Sequence, residues 1–374
     1  MKEIIIGKRK TKCGKVAALL MVAASATVPT AVNAGIADTW TKAVHSQTYG
    51  GVEWSFKIDE TRYTAVIGTN TAAVNQNIDF RATSQALTGK WTLPEYFTVD
   101  GVNYTVTAIG NSAFYSSSSL TSIVFPSGVH QFYRHGLRAC SGLKSIWFKG
   151  PATVKDGEQI YKDMETDGSS AVGNAFTGLS ACKCVLVGPY LNCTVRMPTF
   201  GSSSGCTFFL PRNSDNTTWE SYSPGGTTPV KQYYGAGEDL DLAIDEEVGT
   251  ITATISTAVA LTNVLGAVAT FKEDFGLDTK INITNAFEIG EGLITAENMQ
   301  YATFNSLMFK VTTQAQFDSI LSAVPASVPL AIDASDAKTE IVSPRGRKVY
   351  ALISDEGRNG KYTPKIKGLI IQFF

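Results

Sequence analysis

Five apolar positions recur at one fixed spacing in the first half of the chain, and this repeat constrains the fold more than any other feature. Residues 106–128 align with residues 130–150 so that each apolar pair lies 23 positions apart. A shortened third copy at 171–189 follows an insertion. One such unit cannot bury its apolar side alone, so the spacing predicts units that stack and share a core. The five pairs are Ile109/Phe132, Phe114/Leu137, Leu120/Leu143, Ile123/Ile146 and Phe125/Phe148.

Each copy combines one short strand with a turn rich in serine and glycine. Because successive strand residues point to opposite faces, Ile123 and Phe125 point into the interior, as do Ile146 and Phe148 in the next copy. The pattern therefore predicts a short, irregular solenoid at 106–225 in which Ile123 and Ile146 lie on neighbouring strands.

The strands before the repeat predict an amino-terminal β cap over residues 35–105. Several runs there alternate apolar and polar residues, and Asp100-Gly101 is a strong hairpin-turn signal. The cap closes one end of the predicted stack.

The first copy resembles the BspA-type leucine-rich repeats of bacterial surface and secreted proteins. That family reads I-G-x-x-A-F, a Ser/Cys-rich turn, L-x-x-I, and a strand ending in proline. In the second copy Tyr133 replaces Gly110 and Gly136 replaces Ala113, and the resemblance extends over roughly residues 90–225. It implies a leucine-rich repeat fold and a role in adhesion or surface interaction. The matching residues are Ile109, Gly110, Ala113, Phe114, Leu120, Ile123 and Pro126, then Leu137, Cys140, Leu143 and Ile146.

The repeat signature stops at a Gly/Pro-rich segment, and a linker is predicted at 226–238. From residue 239 to 374 strands and helices alternate, which predicts a small α/β domain with one buried sheet. Helices are predicted at 257–275, 295–307 and 313–324. The predicted fold class is thus α+β, a mainly-β leucine-rich repeat solenoid followed by a small α/β domain.

The amino terminus has the three parts of a secretory signal. Six basic residues precede the apolar run at 16–23, and small residues lead to Val32-Asn33-Ala34, so cleavage is predicted after Ala34. An uncleaved anchor helix is the alternative, although polar residues interrupt the run. No later stretch reaches spanning length, so the mature chain is predicted to be secreted or at the cell surface, without a transmembrane span.

Charge and residue counts exclude several classes of function. The segment 35–374 contains 26 basic and 32 acidic residues, a net charge of −6, which argues against a nucleic-acid partner. The three histidines and the absence of zinc-type cysteine spacing predict no metal site, and no phosphate-binding or nucleophile motif suggests a cofactor or catalysis. The acidic run at 238–247 is interpreted as a solvated strand edge or linker, with calcium binding as the alternative.

An odd number of cysteines remains after cleavage. At least one thiol must be free or pair between chains, and a Cys193–Cys206 bridge between adjacent units is one possible pairing. The five are Cys140, Cys182, Cys184, Cys193 and Cys206.

Strand alternation places Trp147 on the outside of the repeat, where it could contact a partner. We predict Trp147, Tyr133 and Tyr115 as the contact set for a protein or glycan ligand. The alternative for Trp147 is that the insertion at 152–170 covers it. The predicted function is binding or adhesion without catalysis, and two alternatives stay open: a structural component of the cell envelope, or an enzyme whose site lies at 239–374.

Overall fold

The computed structural model describes a mainly β chain with three sheets and few helices. The predicted signal segment 1–34, residues 152–162 and 167–170 of the insertion at 152–170, and the last predicted strand lie outside the described residues. The described residues are 40–69, 81–133, 135–150, 163–166, 176, 178–188, 192–193, 206–211, 231–235, 239–285, 287–288, 293–324, 330–334, 336–339, 341–343 and 349–351.

Fourteen strands precede residue 239 in the described ranges. They are β1 (His45–Tyr49), β2 (Val52–Asp59), β3 (Thr64–Ile67), β4 (Gly89–Thr92), β5 (Tyr96–Val99), β6 (Val102–Ile109), β7 (Leu120–Phe125), β8 (Gln131–Phe132), β9 (Ser145–Phe148), β10 (Asp163–Thr166), β11 (Cys184–Val187), β12 (Asn192–Cys193), β13 (Thr207–Pro211) and β14 (Lys231–Gly235).

From residue 239 the described chain alternates between strands and helices. The elements are β15 (Leu240–Asp245), β16 (Thr250–Ile255), α1 (Ala258–Leu265), α2 (Val268–Phe275), β17 (Asp278–Ile283), α3 (Ala296–Met299), β18 (Ala302–Lys310), α4 (Gln314–Ala323), β19 (Leu330–Asp333) and β20 (Val349–Ala351).

The first sheet begins with antiparallel strands and continues as a parallel ladder in the order β1-β2-β3-β6-β8-β10-β12. Strand β5 pairs with the first half of β6 through the predicted turn. Asp100 and Gly101 have φ angles of 50° and 81°, the left-handed backbone that such tight hairpin turns require. The predicted hairpin is confirmed.

The second sheet is parallel throughout, in the order β14-β13-β11-β9-β7-β4. Ile123 on β7 pairs with Ile146 on β9, and Ile146 pairs with Val185 on β11, so the register predicted from the spacing is confirmed. Phe125 pairs with Phe148 in the same way, and their rings stack with centroids 5.0 Å apart. The inward side chains of successive strands thus form one continuous core.

Each of the first two copies contributes two strands to the structure, rather than the one that the sequence predicted. Ile109 and Phe132 pair in the first sheet, on β6 and β8, while Ile123 and Ile146 pair in the second. Strand β8 has only two residues, too few for a periodic pattern to be read. The core lies between the two parallel ladders, where the Phe132 ring meets that of Phe148 edge-on at 5.5 Å.

The third sheet follows chain order from β15 to β20, and its neighbouring strands are parallel from β16 onward. Ile281 pairs with Phe304, and Phe309 pairs with Ile332, so a spacing of 23 also occurs in this half. That recurrence was not predicted from the sequence, because no serine-rich turn accompanies it. The acidic run forms the edge strand β15, where Asp241 and Asp245 are exposed, as interpreted.

Two of the three predicted helices differ from the prediction. The segment 257–275 forms two helices, because α1 ends at Gly266 and α2 begins after Ala267. Only α3 is helical within 295–307, and residues 302–307 belong to β18, where β-branched and aromatic residues favour a strand. The prediction for α4 is confirmed: Thr313 caps it and accepts a hydrogen bond from the Gln316 amide.

Candidate functional site

Two rows of side chains cross the face of the second sheet that points away from the shared core; we call this the outer face. The rows follow from register, because residues paired on neighbouring strands point the same way. The polar row is Lys90, Ser122, Ser145, Cys184 and Thr207, and the apolar row is Val124, Trp147, Leu186 and Phe209.

Helix α2 covers the outer face. Phe271, Asp274 and Phe275 are three and four residues apart, so they lie on one side of this helix. The ring of Phe275 lies 5.7 Å from that of Trp147, and the ring of Phe271 lies 5.1 Å from that of Phe209. The apolar row and α2 belong to one buried cluster.

The end of α2 is well defined by its capping residue. Gly276 has a φ angle of 75°, and its amide donates to the Lys272 carbonyl at 3.2 Å. The Leu277 amide then donates to the Phe271 carbonyl at 2.8 Å. This left-handed glycine cap ends the helix directly after Phe275 and leads the chain into β17.

A polar contact fixes the position of α2 on the polar row. Ser145 Oγ donates to Asp274 Oδ2 at 2.6 Å, and Lys90 Nζ lies 2.8 Å from Asp274 Oδ1. Lys90 Nζ also donates to the Glu273 carbonyl at 2.8 Å. The Asp274 side chain is 15% exposed, so its charge is largely desolvated and paired. None of these residues was predicted from the sequence, although the aromatic and acidic spacing on α2 was readable.

Burial controls the chemistry of the cysteine in the polar row. It raises the pKa of the Cys184 thiol well above its ordinary value, and the nearby Cys182 and Asp274 raise it further. A thiol held in its protonated form is a poor nucleophile and a poor metal ligand. Cys184 therefore acts as a small apolar side chain beneath α2.

The expectation that Trp147 is available to a partner is wrong for this structure, because the residue is only 3% exposed. Alternation predicted its direction correctly, since it points away from the core that holds Ile146 and Phe148. Helix α2 packs on it. Residues 152–162 and 167–170 of the insertion considered as the alternative cover lie outside the described residues. The amino group of Lys149 lies 5.3 Å from its ring centroid.

Two buried donors on the outer face have no hydrogen-bond partner among the described residues. They are Ser122 Oγ and Trp147 Nε1. Helix α2 therefore covers the outer face without supplying hydrogen-bond partners for these two groups. A buried polar group left unpaired costs about 1–3 kcal/mol of stability.

The other two predicted contact residues do not lie beside Trp147. Tyr133 is 1% exposed and packs with Val66 and Ala108 of the first sheet, which corrects the expectation of a free contact residue. Trp40 packs on this cluster, and its Nε1 donates to Tyr133 Oη at 2.9 Å. Tyr115 is half-buried, and its carbonyl accepts a hydrogen bond from Arg81 Nε at 3.1 Å. The binding roles of all three stay predictions.

The described ranges contain neither a metal-binding cluster nor a membrane-spanning helix. No group of three or more His, Cys, Asp or Glu side chains there is arranged to hold a metal ion. Across the same residues, every helix is too short or too polar to cross a membrane.

Comparison with known proteins assigns no family. No protein-family model matches the sequence, and no curated protein matches it. A leucine-rich cell surface protein of Faecalibacterium prausnitzii A2-165 is 12% identical with a TM-score of 0.26, and the match covers 83% of this chain and 85% of that one. A leucine-rich repeat protein of Bacteroides ovatus ATCC 8483 is 12% identical with a TM-score of 0.25, covering 83% and 70%.

The pneumococcal vaccine antigen PcpA is also similar, at 11% identity and a TM-score of 0.26, covering 89% of this chain and 100% of that one. TM-scores of this size establish neither a shared fold nor a shared function, so the function of this chain has to be argued from its own residues.

Proposed function

We propose that this chain is an exported, non-catalytic binding protein of the bacterial surface, built on a short solenoid of BspA-type leucine-rich repeats. In this proposal residues 1–34 are a cleaved signal and residues 35–105 cap the repeat at 106–225. The predicted linker at 226–238, of which residues 231–235 form β14 of the second sheet, joins it to the domain at 239–374. No cofactor takes part.

The observation that carries the proposal is the regular spacing of side chains on the outer face. Neighbouring parallel strands repeat about every 4.8 Å, so the two rows present polar and apolar groups at fixed positions. A rigid surface of this kind loses little entropy when it binds, which favours recognition. Ser122 and Trp147 add two buried donors that an occupant with suitable acceptors could satisfy.

The partner class follows from the chemistry of the present occupant. Helix α2 contributes two aromatic rings to the apolar row and one carboxylate to the polar row. We therefore propose that the outer face binds a protein segment with this aromatic and acidic pattern, and that α2 must be displaced first. Binding to a glycan, the other ligand class considered from the sequence, is the alternative result that the experiment below distinguishes.

The experiment compares how strongly the mature chain binds partners when α2 is packed on the outer face and when substitutions weaken that packing. Phe271→Ala with Asp274→Ala removes the ring contact with Phe209 across the outer face and the carboxylate that accepts from Ser145. Lys272→Ala removes only an exposed ion pair with Asp278 and serves as the control. Each variant is applied to arrays of extracellular proteins and of glycans, and Trp147→Ala is added in the loosened background. Hydrogen exchange of β7 and β9 verifies that the repeat stays folded.

We expect protein binding to strengthen at least about tenfold on loosening and to be lost with Trp147→Ala. Lys90→Ala is a milder loosening variant if the double variant does not fold. Binding to glycans alone would overturn the partner class, and equal binding by all variants would place the site elsewhere.

A structural role in the cell envelope is the second candidate, and the seating of α2 on the outer face favours it. In that case the outer face only joins the repeat to the third sheet. The absence of binding by every variant, together with retention of the chain in the envelope fraction, would support this role over recognition.

A further inference from the structure

Two cysteines of neighbouring repeat units bring their sulfurs into contact. Cys182 lies two residues before strand β11, Cys206 directly precedes strand β13, and their Sγ atoms are 3.8 Å apart. The strands are tightly paired here: Cys184 is the register partner of Thr207, and the Thr207 amide donates to the Lys183 carbonyl at 2.8 Å. Both thiols are buried in the shared core.

The other described cysteines have different surroundings. Cys140 Sγ donates to the Phe114 carbonyl at 3.0 Å, and Cys184 lies on the outer face under α2. Cys193 lies on β12, which pairs with β10 rather than with β13. Among the cysteine side chains that the structure describes, the sulfur nearest to Cys206 is that of Cys182. The Cys193 side chain lies outside them, so the Cys193–Cys206 pairing stays a prediction.

We infer that Cys182 and Cys206 form a disulfide that links two neighbouring repeat units. The register places Cys206 opposite Lys183, one residue from Cys182. A spacing of about 4.8 Å across the strands and a rise of about 3.3 Å along them put the two Cα atoms about 5.8 Å apart, within the about 4.4–6.8 Å that a disulfide spans. Rotation about the two Cα–Cβ bonds is then enough to bring the sulfurs to bonding distance. This inference rests on the proposed export, because an oxidising compartment preserves such bonds.

Formation of the disulfide requires an oxidant. A donor that itself carries a disulfide is sufficient, either a small molecule or a dithiol–disulfide oxidoreductase. One cysteine, as thiolate, attacks a donor sulfur and releases one donor thiolate, leaving a mixed disulfide. The other cysteine then attacks the sulfur of the first and releases the second donor thiolate. Both cysteine protons leave to solvent or the donor, and two electrons reduce the donor disulfide to two thiols.

The bond must form before the units close. The hydrogen bond to Cys182 and burial both raise the pKa of Cys206, so the folded thiol stays protonated and unreactive. Oxidation during folding, followed by packing, is the order consistent with this environment.

Peptide mapping tests the inference, and the sequence separates the alternatives. Trypsin cleaves after Lys162, Lys183, Arg196 and Arg212, so Cys182, Cys193 and Cys206 fall in the peptides 163–183, 184–196 and 197–212. The mature chain is reduced, unfolded and refolded with oxidised glutathione, then blocked and digested without reductant. A second sample is purified from the medium or surface of a secreting host.

In the refolded sample we expect peptide 163–183 linked to 197–212, and no link in Cys182→Ser or Cys206→Ser. Cys140→Ser is the matched control and retains the link. Reduction is expected to lower the Tm of the native chain by roughly 5 °C or more and to leave that of Cys206→Ser unchanged.

A link from 184–196 to 197–212, or free thiols after refolding, would overturn the inference. If the refolded chain carries the Cys182–Cys206 link but the host delivers no chain to its medium or surface, the disulfide chemistry stands and the proposed export fails.

Discussion

Ser145 and Asp274 are 129 residues apart in the sequence, and the hydroxyl of one donates to the carboxylate of the other at 2.6 Å. The same carboxylate pairs with Lys90 on the edge strand of the second sheet. This contact links the repeat to the α2 segment through the buried Ser145 and a largely buried carboxylate, and a hydrogen bond between such desolvated groups depends strongly on both partners.

Asp274→Ala is expected to destabilise the chain by about 1–3 kcal/mol, because Ser145 loses its acceptor and Lys90 loses its counter-ion. Denaturant unfolding measures this loss, and hydrogen exchange should rise over α2 before it rises over β9. Asp278→Ala is the control, since its ion pair with Lys272 is exposed and such pairs contribute less than about 1 kcal/mol. Equal losses in the two variants would contradict the role given to Asp274.

Ile146→Ala is expected to cost about 2–5 kcal/mol, because Ile146 is fully buried between Ile123 and Val185 on neighbouring strands. Val248→Ala, at an exposed position, should change stability by less than about 0.5 kcal/mol. The midpoint of urea unfolding, measured for both variants and the native chain, tests these two expected changes in stability. A neutral Ile146→Ala would mean that the stacked core contributes little.

Ala139→Gly is expected to stabilise the chain by about 0.5–1 kcal/mol. Ala139 has a φ angle of 62°, a left-handed backbone in which a Cβ atom is strained. Ser116 occupies the equivalent position one copy earlier with a φ angle of 58°, and Gly178 occupies it one copy later with 81°. The thermal midpoint measures the gain.

The matched control for this substitution is Ala113→Gly. Ala113 is buried and is not among the described residues with positive φ, so glycine there removes a packed methyl group and should destabilise the chain. A loss of stability in both variants would show that the left-handed turn at Ala139 is not strained.

His130 is expected to make stability depend on pH. Burial lowers its pKa from 6.5 to about 4, against the opposing effect of the Gly128 carbonyl, to which Nδ1 donates at 2.9 Å. The unfolded chain therefore takes up a proton at a higher pH than the folded chain does. The stability that neutral His130 contributes is present above pH 6.5 and is lost as the pH falls towards 4.

At about pH 5 this loss amounts to about 2 kcal/mol. His130→Asn keeps a donor for the Gly128 carbonyl without the titration, so its denaturant midpoint should fall less than that of the native chain between about pH 7.5 and about pH 5. Identical falls would assign the pH dependence to other groups.

The stacking of the repeat was predictable because it depends on a local period. A spacing of 23 residues makes Ile123 and Ile146 equivalent, and equivalent residues of successive units become register partners. The second ladder was not predictable, because β8 is two residues long and its pairing comes from the shape of the whole unit. In the segment 295–307 the strand pairing of β18 outweighed a helical pattern that was correct only for α3.

By itself, the sequence determined which residues point inward and which point outward along each strand, since alternation is a property of the backbone. Trp147 accordingly lies on the side that alternation assigned to it. The tertiary structure alone decided which segment packs against that side of the sheet. The contact with Phe275 joins residues 128 positions apart, and no periodic pattern records how two distant segments pack.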